Sequence, residues 1–123
     1  MGFFSSNKKI YSQNLGWINI DSVEKLENIF NNLENQTVLF FKHSTRCPVS
    51  RMVLNVFEKN WTDKKECKLY FIDLLTHRNV SNKLSHLTSV EHQSPQTILI
   101  KNKQVVYHNS HNGISAEDIQ NLI

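Results

Sequence analysis

The chain has 123 residues, of which 39% are hydrophobic, enough for one globular domain with a single core and too few for two ordinary domains. Its net charge is +3 and its lysines and arginines are scattered rather than clustered, so nucleic acid is not an expected partner. Two cysteines do not make the disulfide framework of a small secreted protein, and no apolar run is long enough to span a membrane. These features predict a soluble protein of a reducing compartment with no membrane partner.

Residues 1–15 predict a partly ordered N-terminal tail, and residues 16–123 predict one folded domain. The domain opens with Trp17–Ile20, a short apolar run that predicts a first strand. Asp21 followed by Glu24 has the spacing of a capping box and predicts the start of a helix. The buried face of that helix is expected to contain Leu26, Ile29, Phe30 and Leu33.

The β-branched and aromatic run Thr37–Phe41 is typical of a buried strand, and Leu69–Ile72 predicts another strand that ends at Asp73. Between these two strands, apolar side chains recur at steps of three and four residues and predict a helix with one buried face. The side chains of that predicted face are Val49, Met52, Val53, Val56, Phe57 and Trp61.

Predicted helices and strands continue to alternate in the second half of the chain. Asn79–Leu87 has apolar residues at helical spacing, and the apolar runs 97–100 and 105–107 predict a hairpin across four polar residues. Ser115 and Asp118 again have capping-box spacing. The helix that follows them is expected to bury Ile119, Leu122 and Ile123. The order β-α-β-α-β-α-β-β-α predicts a three-layer α/β fold, with a central mixed sheet of four to five strands and helices on both faces.

The junction between the second predicted strand and the second predicted helix contains Cys47. Pro48 suits the first helical position, which makes Cys47 the predicted N-cap. Backbone N–H groups and the helix dipole favour a thiolate there, and Arg46 and Arg51 add positive charge. A structural role is the alternative, but structural thiols usually lie within apolar faces, whereas Cys47 has polar neighbours. Cys47 is therefore predicted to be a nucleophile.

The residues around Cys47 also match a known pattern. Thr45-Arg46-Cys47-Pro48-Val49-Ser50, with Phe41-Lys42-His43-Ser44 before it and Ser94-Pro95-Gln96-Thr97 after it, resembles the monothiol bacilliredoxins of the thioredoxin-fold superfamily. The resemblance covers residues 16–123. It implies a cytoplasmic thiol-disulfide oxidoreductase that removes bacillithiol from protein mixed disulfides, in redox homeostasis and the oxidative-stress response.

The resemblance also implies roles for individual residues. Those implied to be catalytic are Cys47, Pro48 and Ser50. Those implied to bind substrate are Thr45, Arg46, Ser94, Pro95 and His43. The Ser94–Pro95 bond is implied to be cis and to face Cys47, which would let the backbone of Ser94 pair with an extended substrate segment.

Ser50 stands where a Cys-x-x-Cys redox site has its second thiol. A hydroxyl can hydrogen-bond to a thiolate but cannot attack a disulfide, so another molecule must release the mixed disulfide on Cys47. Cys67 is not expected to do so, because parallel pairing places it roughly 20 Å away, against the Cα separation of about 5.5–6 Å in a disulfide. Bacillithiol is the implied co-substrate, with no permanently bound cofactor. The implied partners are bacillithiolated client proteins and a disulfide reductase.

Six histidines raise the question of a metal site. His108 and His111 are three residues apart, but they lie on a strand end that runs into a loop, without the further ligands of a tetrahedral site. No metal is therefore expected, and these histidines are interpreted as surface residues. His43 is different, because an imidazolium beside Cys47 would help to hold the thiol ionised.

Other functions stay open on the sequence alone. One is a general thioredoxin-like or thiol-peroxidase activity. Another is a monothiol glutaredoxin-like iron–sulfur carrier, although Pro48 stands where such carriers usually have glycine. A third is a non-catalytic binding module with a thioredoxin fold, in which the thiol of Cys47 would keep its ordinary pKa.

Overall fold

The computed structural model describes residues 10–62 and 66–123, so the first nine residues of the predicted tail lie outside the part described. Within that part, strands and helices alternate before a final hairpin and helix. The strands are β1 (Ile18–Asn19), β2 (Thr37–His43), β3 (Lys68–Asp73), β4 (Gln96–Lys101) and β5 (Gln104–Ser110), and the α-helices are α1 (Val23–Asn31), α2 (Pro48–Asn60), α3 (Arg78–Thr88) and α4 (Ala116–Gln120).

The strands form one mixed sheet in the order β1-β3-β2-β4-β5. β3 pairs in parallel with both β1 and β2, whereas β4 pairs antiparallel with β2 and β5. Parallel strands need a crossover connection: α2 connects β2 with its neighbour β3, and α1 connects β1 with β2. The predicted three-layer α/β architecture is confirmed.

Each face of the sheet carries its own apolar core, because side chains alternate between the two faces along a strand. Leu39 and Phe41 of β2 pack in a core with residues of α2 and α4. Val38 and Phe40 pack in the opposite core with residues of α1 and α3. The same alternation directs Lys42 toward α3 and His43 toward α2, which decides the surroundings of both side chains.

The start of the domain differs in detail from the prediction. The N-cap of α1 is Ser22 rather than Asp21, since the Ser22 side chain accepts the Lys25 N–H at 3.1 Å. β1 is shorter than the predicted strand. Residues before it pack on the domain as well, because the ring of Tyr11 lies 4.7 Å from that of Phe71. The predicted domain boundary at residue 16 stays a prediction.

The predicted buried face of α2 is partly wrong. Val49, Met52 and Val56 are exposed by 37%, 54% and 52%. The buried row lies beside them on the helix surface and consists of Ser50, Val53, Leu54 and Phe57. Both rows have helical spacing, but only one can face the sheet, and the row that contains Ser50 packs there.

The C-terminal elements follow the prediction more closely. The β4–β5 hairpin turns through Asn102 and Lys103, whose positive φ values of 53° and 67° fit a two-residue turn of type I′. α4 begins as predicted, with the Ser115 side chain accepting the Asp118 N–H at 3.1 Å. Leu122 lies past the end of α4 and is 41% exposed, so its predicted burial is wrong. Within the described ranges, no helix has both the length and the apolar character needed to cross a bilayer.

Candidate active site around Cys47

One end of the sheet brings together the segments that carry the predicted site residues. β2 ends at His43, which lies opposite Asp73 at the end of β3. β4 begins at Gln96, which pairs with Lys42. The loop that leads to Cys47 and the segment that ends at Pro95 therefore emerge at the same end. The Ser94–Pro95 peptide bond is cis, as predicted.

Cys47 is the N-cap residue of α2, with Pro48 at the first helical position, which confirms the predicted cap. The Cys47 N–H donates to the Ser44 carbonyl at 3.2 Å, and the Cys47 carbonyl accepts the Arg51 N–H at 3.2 Å. The side chain makes no capping hydrogen bond. Cys47 is a free, half-buried cysteine, so its thiol stays available for chemistry at the positive end of the helix dipole.

Ser50 connects three parts of the site. Its side chain is fully buried, and its Oγ accepts the Ser44 N–H at 3.1 Å. The same oxygen lies 2.8 Å from Nδ1 of His43. The hydroxyl therefore holds the end of β2, the loop before Cys47 and the first turn of α2 in one arrangement.

The surroundings of His43 disfavour its charged form. Its side chain is fully buried, and burial lowers the pKa of its imidazole, with a further lowering from Arg51 and an opposing contribution from Asp73. Its Nε2 has no hydrogen-bond partner among the described residues. An imidazolium is therefore disfavoured at this position, and His43 Nδ1 lies within hydrogen-bond distance of Ser50 Oγ beneath the site.

The loss of the Ser50 hydroxyl tests this arrangement. Ser50→Ala is expected to lower the free energy of unfolding by about 2 kcal/mol, because the buried Ser44 N–H and His43 Nδ1 lose their partner. Urea unfolding followed by tryptophan fluorescence measures the loss. The control Ser115→Ala removes one cap bond at an exposed helix end and is expected to cost about 1 kcal/mol. A smaller loss for Ser50→Ala than for Ser115→Ala would contradict this description.

The remaining predicted site residues lie on the outer side of the loop or in the segment before β4. Thr45 is half-buried and Arg46 is exposed. Pro95 is buried, and its carbonyl accepts the His111 N–H at 3.0 Å. The Ser94 Oγ is buried with no partner among the described residues.

Lys42 is the residue whose importance the sequence reasoning missed. It is fully buried, and its Nζ donates to Ser85 Oγ at 2.9 Å, to the Ser81 carbonyl at 3.2 Å and to His92 Nδ1 at 3.2 Å. Burial, followed by Arg78, lowers the pKa of this amine to about 8. The sequence does contain a signal of this burial, because side chains two residues apart in a strand lie on the same face, and Lys42 follows the buried Val38 and Phe40 at that spacing.

The same end of the sheet holds the segment before Pro95. Lys42 bonds to His92 in that segment, and the Gln96 side chain donates to the Glu91 carbonyl at 2.9 Å. Burial, Lys42 and Arg78 each lower the pKa of His92, which favours the neutral ring whose Nδ1 can accept a hydrogen bond from Lys42 Nζ. Two buried polar side chains thus fix the approach to the Ser94–Pro95 bond.

Cys67 lies far from this end. It is 6% exposed, and its Sγ donates to the Lys68 carbonyl at 3.6 Å. Lys68 pairs with Val38 near the start of β2, whereas Cys47 follows the end of that strand. No disulfide joins Cys47 and Cys67. The prediction that the two thiols stand at opposite ends of the sheet is confirmed.

Comparison with known proteins agrees with this geometry. The family model described as monothiol bacilliredoxin BrxC matches residues 18–119. The chain belongs to this family. Membership in the monothiol bacilliredoxins, together with the thioredoxin fold, supports a thiol oxidoreductase-like role.

The chain is also similar to solved structures with a thioredoxin fold. A candidate oxidoreductase with a thioredoxin fold is 24% identical with a TM-score of 0.73, over 86% of this chain and 92% of that one. Thioredoxin from Trypanosoma brucei brucei is 16% identical with a TM-score of 0.68, over 94% and 95%. Thioredoxin from Schistosoma mansoni is 18% identical with a TM-score of 0.65, over 87% and 92%. At these identities the likeness shows the thioredoxin fold.

Proposed function

We propose that this protein removes bacillithiol from protein mixed disulfides by a monothiol mechanism, with Cys47 as the nucleophile. The observation that carries the proposal is a free, half-buried thiol at the N-cap of α2, with a buried serine where a second thiol would stand. A single thiol can exchange with a mixed disulfide but cannot release itself. The family match over residues 18–119 supports the choice of bacillithiol as the small thiol.

The first step is an exchange of disulfide bonds. The Cys47 thiolate attacks the bacillithiol sulfur of the client adduct, a bond forms between these two sulfurs, and the client cysteine leaves as a thiolate that takes up a proton. The attacking sulfur stands at the N-cap of α2, which is the positive end of the helix dipole. One disulfide is consumed and one is formed, so this step needs no external oxidant or reductant.

The second step restores the thiol. A second bacillithiol thiolate attacks the bacillithiol sulfur on Cys47, which releases bacillithiol disulfide and the Cys47 thiolate. A disulfide reductase then reduces the bacillithiol disulfide. Bacillithiol is thus a co-substrate, no cofactor is permanently bound, and the reaction belongs in the cytoplasm of a cell that uses this thiol.

Other residues support the exchange in this proposal. Pro48 starts the helix behind the thiol, and Ser50 holds the loop before it. Ser94 and Pro95 form the opposite wall, where the backbone of Ser94 pairs with an extended client segment. Thr45 and Arg46 contact the small thiol.

Intact-mass spectrometry tests the proposal. A client protein with bacillithiol on one cysteine is incubated with the reduced protein, and the reaction is stopped with acid. The adduct mass is expected to leave the client and to appear on Cys47. Added bacillithiol should then clear the adduct from Cys47. The proposal fails if the client keeps its adduct as long with the wild-type protein as without it.

A further inference from the structure

A cleft of about 560 Å³ runs along the outer surface of α2 beside Cys47. It begins with residues that flank Cys47 in sequence and continues along the first two turns of the helix. Its lining residues are Thr45, Arg46, Pro48, Arg51, Met52, Asn55 and Val56. The volume is within the range of small-molecule sites, about 300–1,000 Å³.

The cleft is positively charged. Arg46 and Arg51 are both exposed, and its lining contains no acidic residue. In residues 10–62 and 66–123, no carboxylate lies within 4.0 Å of either guanidinium, although the same ranges contain the pair Lys83–Glu27 at 3.3 Å. Two guanidiniums without acidic partners are suited to bind carboxylates, which they can contact through paired N–H groups.

The rest of the cleft is mostly apolar, and two of its apolar side chains are accessible. Met52 and Val56 are exposed by 54% and 52%, which is the row of α2 that the sequence wrongly predicts to be buried. Asn55 adds one amide between them. Apolar side chains next to fixed polar groups are the usual composition of a small-ligand site.

The cleft lies within the reach of a small molecule bonded to Cys47. Arg51 stands four residues beyond Cys47 on the helix, and Asn55 stands eight residues beyond, which correspond to rises of about 6 Å and about 12 Å along the axis. A thiol whose carboxylates lie within about this distance of its sulfur can therefore react at Cys47 while its carboxylates contact the arginines.

We propose that this cleft binds the carboxylate-bearing portion of the small thiol whose sulfur reacts with Cys47. Arg46 and Arg51 bind the carboxylates, and Met52 and Val56 contact the carbon skeleton. When the small thiol occupies the cleft, its sulfur, rather than the client sulfur, lies next to Cys47. The bond that forms is then Cys47 to small thiol, and the client leaves as the thiolate. The inference rests on the proposed function and names the feature that selects its substrate.

Reaction rates with two aromatic disulfides test the cleft without bacillithiol. Dithiobis-nitrobenzoate is anionic and carries two carboxylates, whereas dithiodipyridine is neutral. Stopped-flow absorbance gives the rate constant of reduced protein with each probe. Arg51→Gln and Arg46→Gln are each expected to lower the ratio of the anionic to the neutral rate constant by about fivefold to tenfold, because each removes a charge-assisted contact. Arg51→Lys keeps the charge, so its ratio of rate constants should lie between those of the wild type and Arg51→Gln.

Lys103→Gln is the matched control. It removes the same unit of charge at the β4–β5 turn, at the opposite end of the sheet from Cys47, and should leave the ratio unchanged. The proposal is overturned if the arginine variants slow both probes equally, since the arginines would then act on the thiolate alone. An equal effect of Lys103→Gln would also overturn it. Because neither probe is bacillithiol, loss of adduct transfer in the mass-spectrometry test would leave this result standing.

Discussion

Cys47→Ala is expected to reduce the release of bacillithiol from a client protein to the rate without any protein. The loss should be on the order of 10³-fold or more, as for removal of other catalytic nucleophiles. The physical reason is that Cys47 combines an accessible thiol with the N-cap position of α2, whereas the described ranges contain no second thiol at that end of the sheet. The client adduct measured over time by mass spectrometry gives the rate.

Cys67→Ala is the matched control for this prediction. Cys67 is 6% exposed and belongs to the core between the sheet and α2. Its replacement should keep the wild-type release rate and lower the free energy of unfolding by about 1 kcal/mol. Slower release in Cys67→Ala, or a disulfide between Cys47 and Cys67 in the reaction mixture, would contradict the monothiol mechanism.

The features that the sequence predicted correctly depend on local chemistry and on strand direction. Pro48 after a polar loop is enough to predict Cys47 as the N-cap, because proline at the first helical position needs no partner for its nitrogen. Parallel pairing of β2 with β3 is enough to place Cys67 at the far end. Neither inference needs the packing of distant side chains.

The features that the sequence predicted wrongly depend on tertiary packing. α2 carries two adjacent apolar rows, and helical spacing alone does not decide which row packs on the sheet. The exposed row of Met52 and Val56 now forms part of the cleft. His43 was expected to be charged because it is close to Cys47 in sequence, but its charge depends on burial, and burial lowers its pKa.

Lys42 is the clearest case in which tertiary packing, rather than local sequence, decides the surroundings of a side chain. The sequence places a lysine beside the site, where an exposed cation would be ordinary. Strand alternation directs it instead beneath α3, where the ammonium bonds to Ser81, Ser85 and His92. No carboxylate is among these partners, so the charge is stabilised by hydrogen bonds alone and its desolvation is only partly offset.

The stability of the folded protein is therefore expected to rise with pH in an alkaline window. The pKa of Lys42 is lowered from 10.5 to about 8. Between these values the unfolded chain binds a proton that the folded chain has lost, so the free energy of unfolding increases as pH rises. A difference of about 2.5 pK units corresponds to about 3 kcal/mol over the whole window, with each unit worth about 1.4 kcal/mol. Below about pH 8 both the folded and the unfolded chain bind the proton, so the destabilisation from burying the charged Lys42 amine is fully present and constant.

Lys42→Met isolates this contribution, since methionine is similar in length and does not titrate. Urea unfolding between about pH 8 and about pH 10 covers most of this window and should show a rise of about 2 kcal/mol for the wild type relative to Lys42→Met. Burial raises the pKa of Tyr70, which lowers stability above about pH 10, but both proteins share that effect and it cancels in the difference. Lys68→Met, at an exposed position of β3, should keep the wild-type rise. If the curves of wild type and Lys42→Met stay parallel across the window, the Lys42 amine keeps an ordinary pKa and its burial does not set the pH dependence of the fold.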